Sequence, residues 1–133
     1  MAQLLFAGIR CRNDTHTAIV LLMTRLRKPD KDEWRKLMRL LGFLKRTMKL
    51  PLILRAGGVN VLKGWVDSSY AAHDIMRGHM GGTMSMGKDE RGSIISISKN
   101  QNLNTKSLTK AELIEVDDAM PQMIWTRYFL EAQ

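Results

Sequence analysis

Two acidic residues far apart in the sequence, Asp67 and Glu112, have settings suited to holding a divalent cation. Asp67 lies near the end of segment 61–70, whose alternation predicts a β-strand with Val61, Trp65 and Asp67 on one face. Glu112 lies in the opening turn of a predicted helix. An ionised carboxylate that is half-buried among apolar residues needs a hydrogen-bond donor, a cation or a metal. We therefore predict that Asp67 and Glu112 together bind a divalent metal.

Each of the two acids also has a purely structural interpretation. Thr109 and Glu112 have the spacing of a capping box, in which the Glu112 carboxylate would accept a hydrogen bond from the Thr109 amide. Asp67 would be an ordinary acid at the end of a strand, capping a turn. Asp117 and Asp118 follow on the same predicted helix, but Asp117 is five residues beyond Glu112 and is predicted to lie on a solvated face.

The elements that would position these acids follow a basic N-terminal block. Residues 1–54 hold 12 lysines and arginines against four acidic residues, whereas residues 55–133 hold nine of each. The whole formal net charge of +8 therefore belongs to residues 1–54. A basic helical block favours contact with phosphate groups, and a solvated face without a ligand is the alternative. The candidate nucleic-acid-binding residues are Arg35, Lys36, Arg39, Lys45 and Arg46.

Apolar periodicity in residues 1–54 predicts three helices. The third is the clearest, because Asp30 and Glu33 have capping-box spacing at its start and Pro51 ends it. The first two are predicted over residues 3–10 and 15–27, the second capped by Asn13 or Asp14. The stripe of the third helix predicted to face the core is Trp34, Leu37, Met38, Leu41, Leu44 and Met48.

Residues 55–133 have the pattern of a small sheet followed by a helix. Besides segment 61–70, strands are predicted over 83–87 and 93–98, with a short strand at 52–54. Loops are predicted over 71–82, which contains His73 and Arg77, and over 99–108. The final helix is predicted over 109–132, kinked or split by Pro121. Core packing is the default prediction for Trp34, Trp65 and Trp125, because each lies on an apolar pattern.

The order of short motifs resembles the ribonuclease H region of copia-type retrotransposon polyproteins, together with the end of the preceding reverse transcriptase. The motifs cover nearly the whole chain. They are KPDKDEWRKLMRLLGFLKRTMKLPL at 28–52, WVDSSYA at 65–71, MRGHMGG at 76–82, LNTKSLTKAEL at 103–113 and WTRYFLEA at 125–132.

The resemblance implies an α+β fold. Residues 1–54 would be a helical reverse transcriptase connection, and residues 55–133 would be a truncated ribonuclease H-like half-domain with three antiparallel strands and a long helix. In that family four carboxylates hold two Mg²⁺ ions that cleave the RNA strand of an RNA–DNA hybrid. By position, Asp67 and Glu112 match two of the four, and the other two lie on later elements without a counterpart before Gln133. The implied partners are an RNA–DNA hybrid and the remainder of the polyprotein.

The resemblance further implies that the strand carrying Asp67 is central in the family's sheet. In this chain it would be an open edge, which invites pairing with another strand. Two other functions remain open: a non-catalytic, basic nucleic-acid-binding remnant, and an unrelated small α+β scaffold.

The sequence also bears on the compartment. A single cysteine, Cys11, excludes an internal disulfide and fits a reducing environment. No secretory signal is evident, and the longest apolar run, 18–23, is too short to cross a bilayer. We therefore expect an intracellular protein, in the cytoplasm or the nucleus, with no membrane partner.

Overall fold

A computed structural model of the 133-residue chain describes residues 1–54, 61–69, 78–88, 92–103 and 107–133. The chain divides into two compact units, Met1–Leu52 and Ile53–Gln133. Within the described residues the first unit is helical, and the second contains a three-stranded antiparallel sheet and a long helix. The predicted α+β class, with N-terminal helices and a long C-terminal helix, is confirmed.

The first unit consists of helices α1 (Ala2–Arg10), α2 (Asn13–Thr24) and α3 (Lys31–Arg46). Its most buried apolar residue is Ile19 on α2, which is fully inaccessible to solvent. Gly8 allows α1 to approach α2 closely, because a Cβ at Gly8 would lie only 3.0 Å from Ile19 Cδ1.

The start of α2 differs from the prediction that Asn13 or Asp14 would cap it. The N-cap is Arg12, whose side chain makes no capping hydrogen bond. Asp14 is instead held by Arg12 in an ion pair of 2.8 Å. Arg12 also donates to the Thr47 carbonyl at 3.1 Å and to Thr47 Oγ1 at 2.8 Å. The guanidinium therefore ties the start of α2 to the end of α3, and its hydrogen bond lowers the pKa of Asp14.

Helix α3 begins with the predicted capping box. Asp30 Oδ1 accepts from the Asp32 amide at 2.6 Å and from the Glu33 amide at 3.0 Å, and Glu33 Oε2 accepts from the Asp30 amide at 3.1 Å. The predicted core stripe is wrong for part of the helix. Leu40 is buried and Leu37 and Leu44 are half-buried, but the remaining stripe residues are exposed: Trp34, Met38, Leu41 and Met48.

The sheet of the second unit has strands β1 (Leu62–Ser69), β2 (His79–Met86) and β3 (Ile95–Asn100) in the order β1-β2-β3. Among the described residues, β1 has a hydrogen-bonded neighbour only on its β2 side. The register places Asp67 opposite Gly81 and Gly82 opposite Ile97.

Three predictions for this part of the chain were wrong. Strand β2 begins at His79, although residues 79–82 were predicted to be loop, because pairing on both sides of β2 outweighs the low strand propensity of Gly81 and Gly82. Strand β3 extends to Asn100 rather than ending at residue 98. Residues 52–54 do not form the predicted short strand. The rest of the predicted 71–82 loop, with His73 and Arg77, lies largely outside the described residues, as do residues 55–60.

Helix α4 (Leu108–Glu131) packs on β1. Its N-cap is Ser107, whose Oγ accepts from the Lys110 amide at 3.4 Å, so the predicted capping box at Thr109 is not formed. The helix also continues through Pro121. The proline removes one amide donor, and the carbonyl left without that partner belongs to Asp117, which is exposed and can bind water instead.

The prediction that the three tryptophans pack in the core was wrong. Trp34 is 63%, Trp65 42% and Trp125 61% exposed. A Cβ at Gly64 would lie 2.7 Å from the Met123 side chain, so the even-numbered residues of β1 face α4 and Trp65 faces away from it. An apolar pattern therefore did not show which of these rings is covered.

Two glycines should respond in opposite ways to alanine. Gly92 has φ +78°, and a Cβ there would overlap the Ile53 carbonyl group, so Gly92→Ala should destabilise the second unit by about 3 kcal/mol. Gly42 lies inside α3 with open space around it, so Gly42→Ala should stabilise the first unit by about 0.5–1 kcal/mol. Urea unfolding would measure both effects, and an unchanged midpoint for Gly92→Ala would contradict the tight approach to Ile53.

Candidate functional site

Asp67 lies on the outer face of the sheet. Ser68, its neighbour in β1, is buried on the α4 side, so the Asp67 side chain points to the opposite face by strand alternation. The expectation that Asp67 would be half-buried beside Trp65 was wrong, because both side chains are exposed.

Glu112 lies in the second turn of α4, at an exposed position. The residues of α4 buried against the sheet are Ala111, Glu115 and Ala119, which recur every four residues. Glu112 is three residues before Glu115 and seven before Ala119, so it lies on the same side of α4 near the start of the helix, where its side chain is exposed. The prediction that Glu112 and Asp67 bind a divalent metal together stays a prediction.

The acid that α4 directs at β1 is Glu115, which was not singled out from the sequence. It is 1% exposed, and its Oε1 has no hydrogen-bond partner within the described chain. Burial raises the pKa of Glu115, the backbone amides of Asp67 and Gly81 act in the opposite direction, and the charge of Asp67 raises it further. The four-residue recurrence of Ala111, Glu115 and Ala119 is the signal that could have identified it.

The described residues do not assemble a metal centre. No group of three or more histidine, cysteine, aspartate or glutamate side chains in this part of the chain is placed to hold an ion. Carboxylate oxygens such as those of Asp67 and Glu112 have the right chemistry for Mg²⁺. Two carboxylates supply fewer ligands than this ion takes, so a Mg²⁺ centre would need further oxygen ligands.

A basic groove runs along the exposed side of α3. Its volume is about 700 Å³, and its lining residues define what we call the α3 groove: Trp34, Arg35, Met38, Arg39, Gly42, Lys45 and Arg46. Four of the five predicted nucleic-acid-binding residues lie here. The ion pairs found among the described residues involve none of these four cations. The sequence alone therefore showed the cations of this surface, but it did not predict that Trp34 and Met38 are exposed beside them.

Lys36, the fifth predicted nucleic-acid-binding residue, lies outside the groove. Its Nζ is 2.6 Å from Asp32 Oδ2, one helical turn earlier. This pairing raises the pKa of Lys36. Because the charge of Lys36 is balanced locally, we expect it to contribute less to binding an anion than the four groove cations.

No protein-family model matches the chain, and no solved structure was found to match it. Among the described helices, none combines the length and apolar character required to cross a bilayer.

Proposed function

We propose that the chain is a piece of a copia-type retroelement polyprotein, joining the end of the reverse transcriptase to the first half of ribonuclease H, and that it binds RNA–DNA hybrids. The observation that carries the proposal is the α3 groove, where four cationic side chains lie together on one surface. Closely spaced phosphates attract such a surface, and binding releases the counterions condensed on the nucleic acid. On this proposal the protein works in the cytoplasm or the nucleus.

The order of elements in the second unit supports the same origin. Three antiparallel strands in the order β1-β2-β3 are followed by a helix that packs on β1. This is the arrangement that the resemblance implies for the first half of a ribonuclease H domain. Asp67 lies in β1 and Glu112 in α4, the elements on which the resemblance places two of the four carboxylates.

The proposal assigns no cleavage step to this chain alone. The family's reaction uses Mg²⁺ to activate water and to stabilise the leaving oxygen. Asp67 and Glu112 are two of the four carboxylates that the resemblance implies, so they would need further ligands to hold the ions. A complete centre would take carboxylates from the remainder of the polyprotein, which is therefore the proposed protein partner.

An end-labelled RNA–DNA hybrid incubated with the chain and Mg²⁺ would test this assignment. We expect binding that weakens steeply with salt, no cleavage, and an affinity that changes less than about twofold in Asp67→Asn and Glu112→Gln. Cleavage that either substitution abolishes would show that the chain is itself a nuclease. Absence of hybrid binding at low salt would contradict the proposal and favour an unrelated α+β scaffold.

A further inference from the structure

Helix α3 exposes an aromatic ring beside its cationic side chains. At 3.6 residues per turn, Gly42 is centred on the side of α3 opposite the core-facing Leu40 and Leu44. A Cβ at Gly42 would meet no atom within 4 Å, so the middle of the groove is open. Trp34 and Met38 line one edge of this opening, and Arg35, Arg39 and Arg46 line the other.

The Trp34 ring is available for an external stacking partner. It is 63% exposed, and the aromatic and cation–π contacts found among the described residues do not involve it. Trp125 differs from Trp34 in this respect. Its ring is 61% exposed but stacks on Phe129 with a centroid distance of 5.5 Å. Two tryptophans of nearly equal exposure therefore differ in whether a neighbouring ring is stacked on them.

We propose that the α3 groove binds single-stranded nucleic acid, with one unpaired base stacked on Trp34 and neighbouring phosphates held by Arg35 and Arg39. The inference rests on the proposed function and adds a preference for unpaired strands at the same surface. Stacking on an aromatic side chain requires a free base face, which a base inside a duplex does not offer. The cations alone would not discriminate, because both forms carry phosphates.

The chemistry of the groove favours a nucleic acid over a lipid surface. Within the groove, Trp34 and Met38 lie beside four cationic side chains. One ring for a base and a row of cations for phosphates match the alternating chemistry of a single strand. Leu41 of α3 and Met48 just after the helix are also exposed, so a lipid surface is the competing ligand that the vesicle measurement below tests.

Fluorescence anisotropy with labelled oligothymidine and with a matched duplex would test the inference on the full chain. Trp34→Ala should weaken oligothymidine binding by about fivefold to a hundredfold and leave duplex binding nearly unchanged. Trp34→Phe should retain most of the affinity, because phenylalanine keeps a stacking face. Trp125→Ala is the matched control, because it removes the same ring at a position outside the α3 groove. It should change neither the oligothymidine affinity nor the duplex affinity.

A second measurement reports stacking directly. In a chain carrying Trp65→Phe and Trp125→Phe, Trp34 is the sole indole, and oligothymidine should quench its emission. Salt-sensitive binding with no effect of Trp34→Ala on either ligand would overturn the stacking inference and leave the proposed function standing. Absence of binding to any nucleic acid would overturn both. If oligothymidine did not quench the Trp34 emission and phosphatidylserine vesicles shifted that emission to the blue, the inference would be overturned in favour of a membrane surface.

Discussion

Replacing Arg35, Arg39, Lys45 and Arg46 together by alanine should abolish most of the chain's affinity for nucleic acid. The four side chains line the same groove, and the ion pairs found among the described residues do not involve them. If each side chain neutralises one phosphate, the logarithm of the binding constant should fall with the logarithm of the salt concentration at a slope of about −3.6. A rise from about 50 to about 200 mM salt should then weaken wild-type binding about 150-fold. The quadruple variant should lose most of that slope.

Substitutions that change charge outside the groove separate this prediction from a general effect of net charge. Lys36→Ala removes one positive charge from the same helix, but its partner is Asp32 rather than a ligand. Arg39→Ala should lower the salt slope by about one, whereas Lys36→Ala should change it by much less. Titrations of an RNA–DNA hybrid over a series of salt concentrations would measure both slopes. Equal changes would mean that binding follows overall charge, and the groove would not be a site.

The sequence predicted the class of fold because its strongest signals are local. The capping box at Asp30 and Glu33 depends on residues three apart, and it forms as predicted. The order of helices and strands follows from periodicity within single segments. The errors concern elements whose conformation depends on distant neighbours. Strand β2 continues through Gly81 and Gly82 because strands pair on both of its sides, which local propensity does not reveal.

The candidate site was predicted less well than the fold, for a physical reason. Alternation placed Asp67 correctly in a strand, but alternation alone does not determine which face is covered. Helix α4 covers the face of Gly64 and Ser68, so Asp67 is exposed and a different acid, Glu115, is buried. On α3 the cationic side chains are evident from the sequence, but the apolar stripe was predicted to be core. The exposed Trp34 became evident only when the packed side of the helix was known.

Replacing Glu115 by glutamine should remove a pH-dependent loss of stability from the second unit. Burial raises the pKa of Glu115 in the folded chain above the value of about 4.3 expected when it is unfolded. At low pH Glu115 is protonated in both the folded and the unfolded chain, so its ionisation does not change the free energy of unfolding. As pH rises through about 4.3, the unfolded chain releases this proton while the folded chain keeps it, so stability falls until the folded pKa is passed.

The measurable quantity is the difference in melting temperature between Glu115→Gln and the wild type across a pH series. The difference should be smallest near pH 4 and should grow towards pH 8. Each increment of about 1 kcal/mol corresponds to about 4–8 °C in the melting temperature of a domain of this size. Taking the difference cancels the titration of the other acids, including Asp14, whose lowered pKa acts with the opposite sign.

Glu112→Gln is the matched control, because it makes the same change on the same helix at an exposed position. Its difference from the wild type should stay within about 0.5 kcal/mol. Asp67→Asn adds a third comparison. The charge of Asp67 raises the pKa of Glu115, so removing that charge should weaken the contribution of Glu115 to the pH dependence of stability.

A difference in melting temperature between Glu115→Gln and the wild type that stays constant from pH 4 to pH 8 would show that Glu115 is not buried against β1. The assignment of Ala111, Glu115 and Ala119 as the sheet-facing side of α4 would then be wrong.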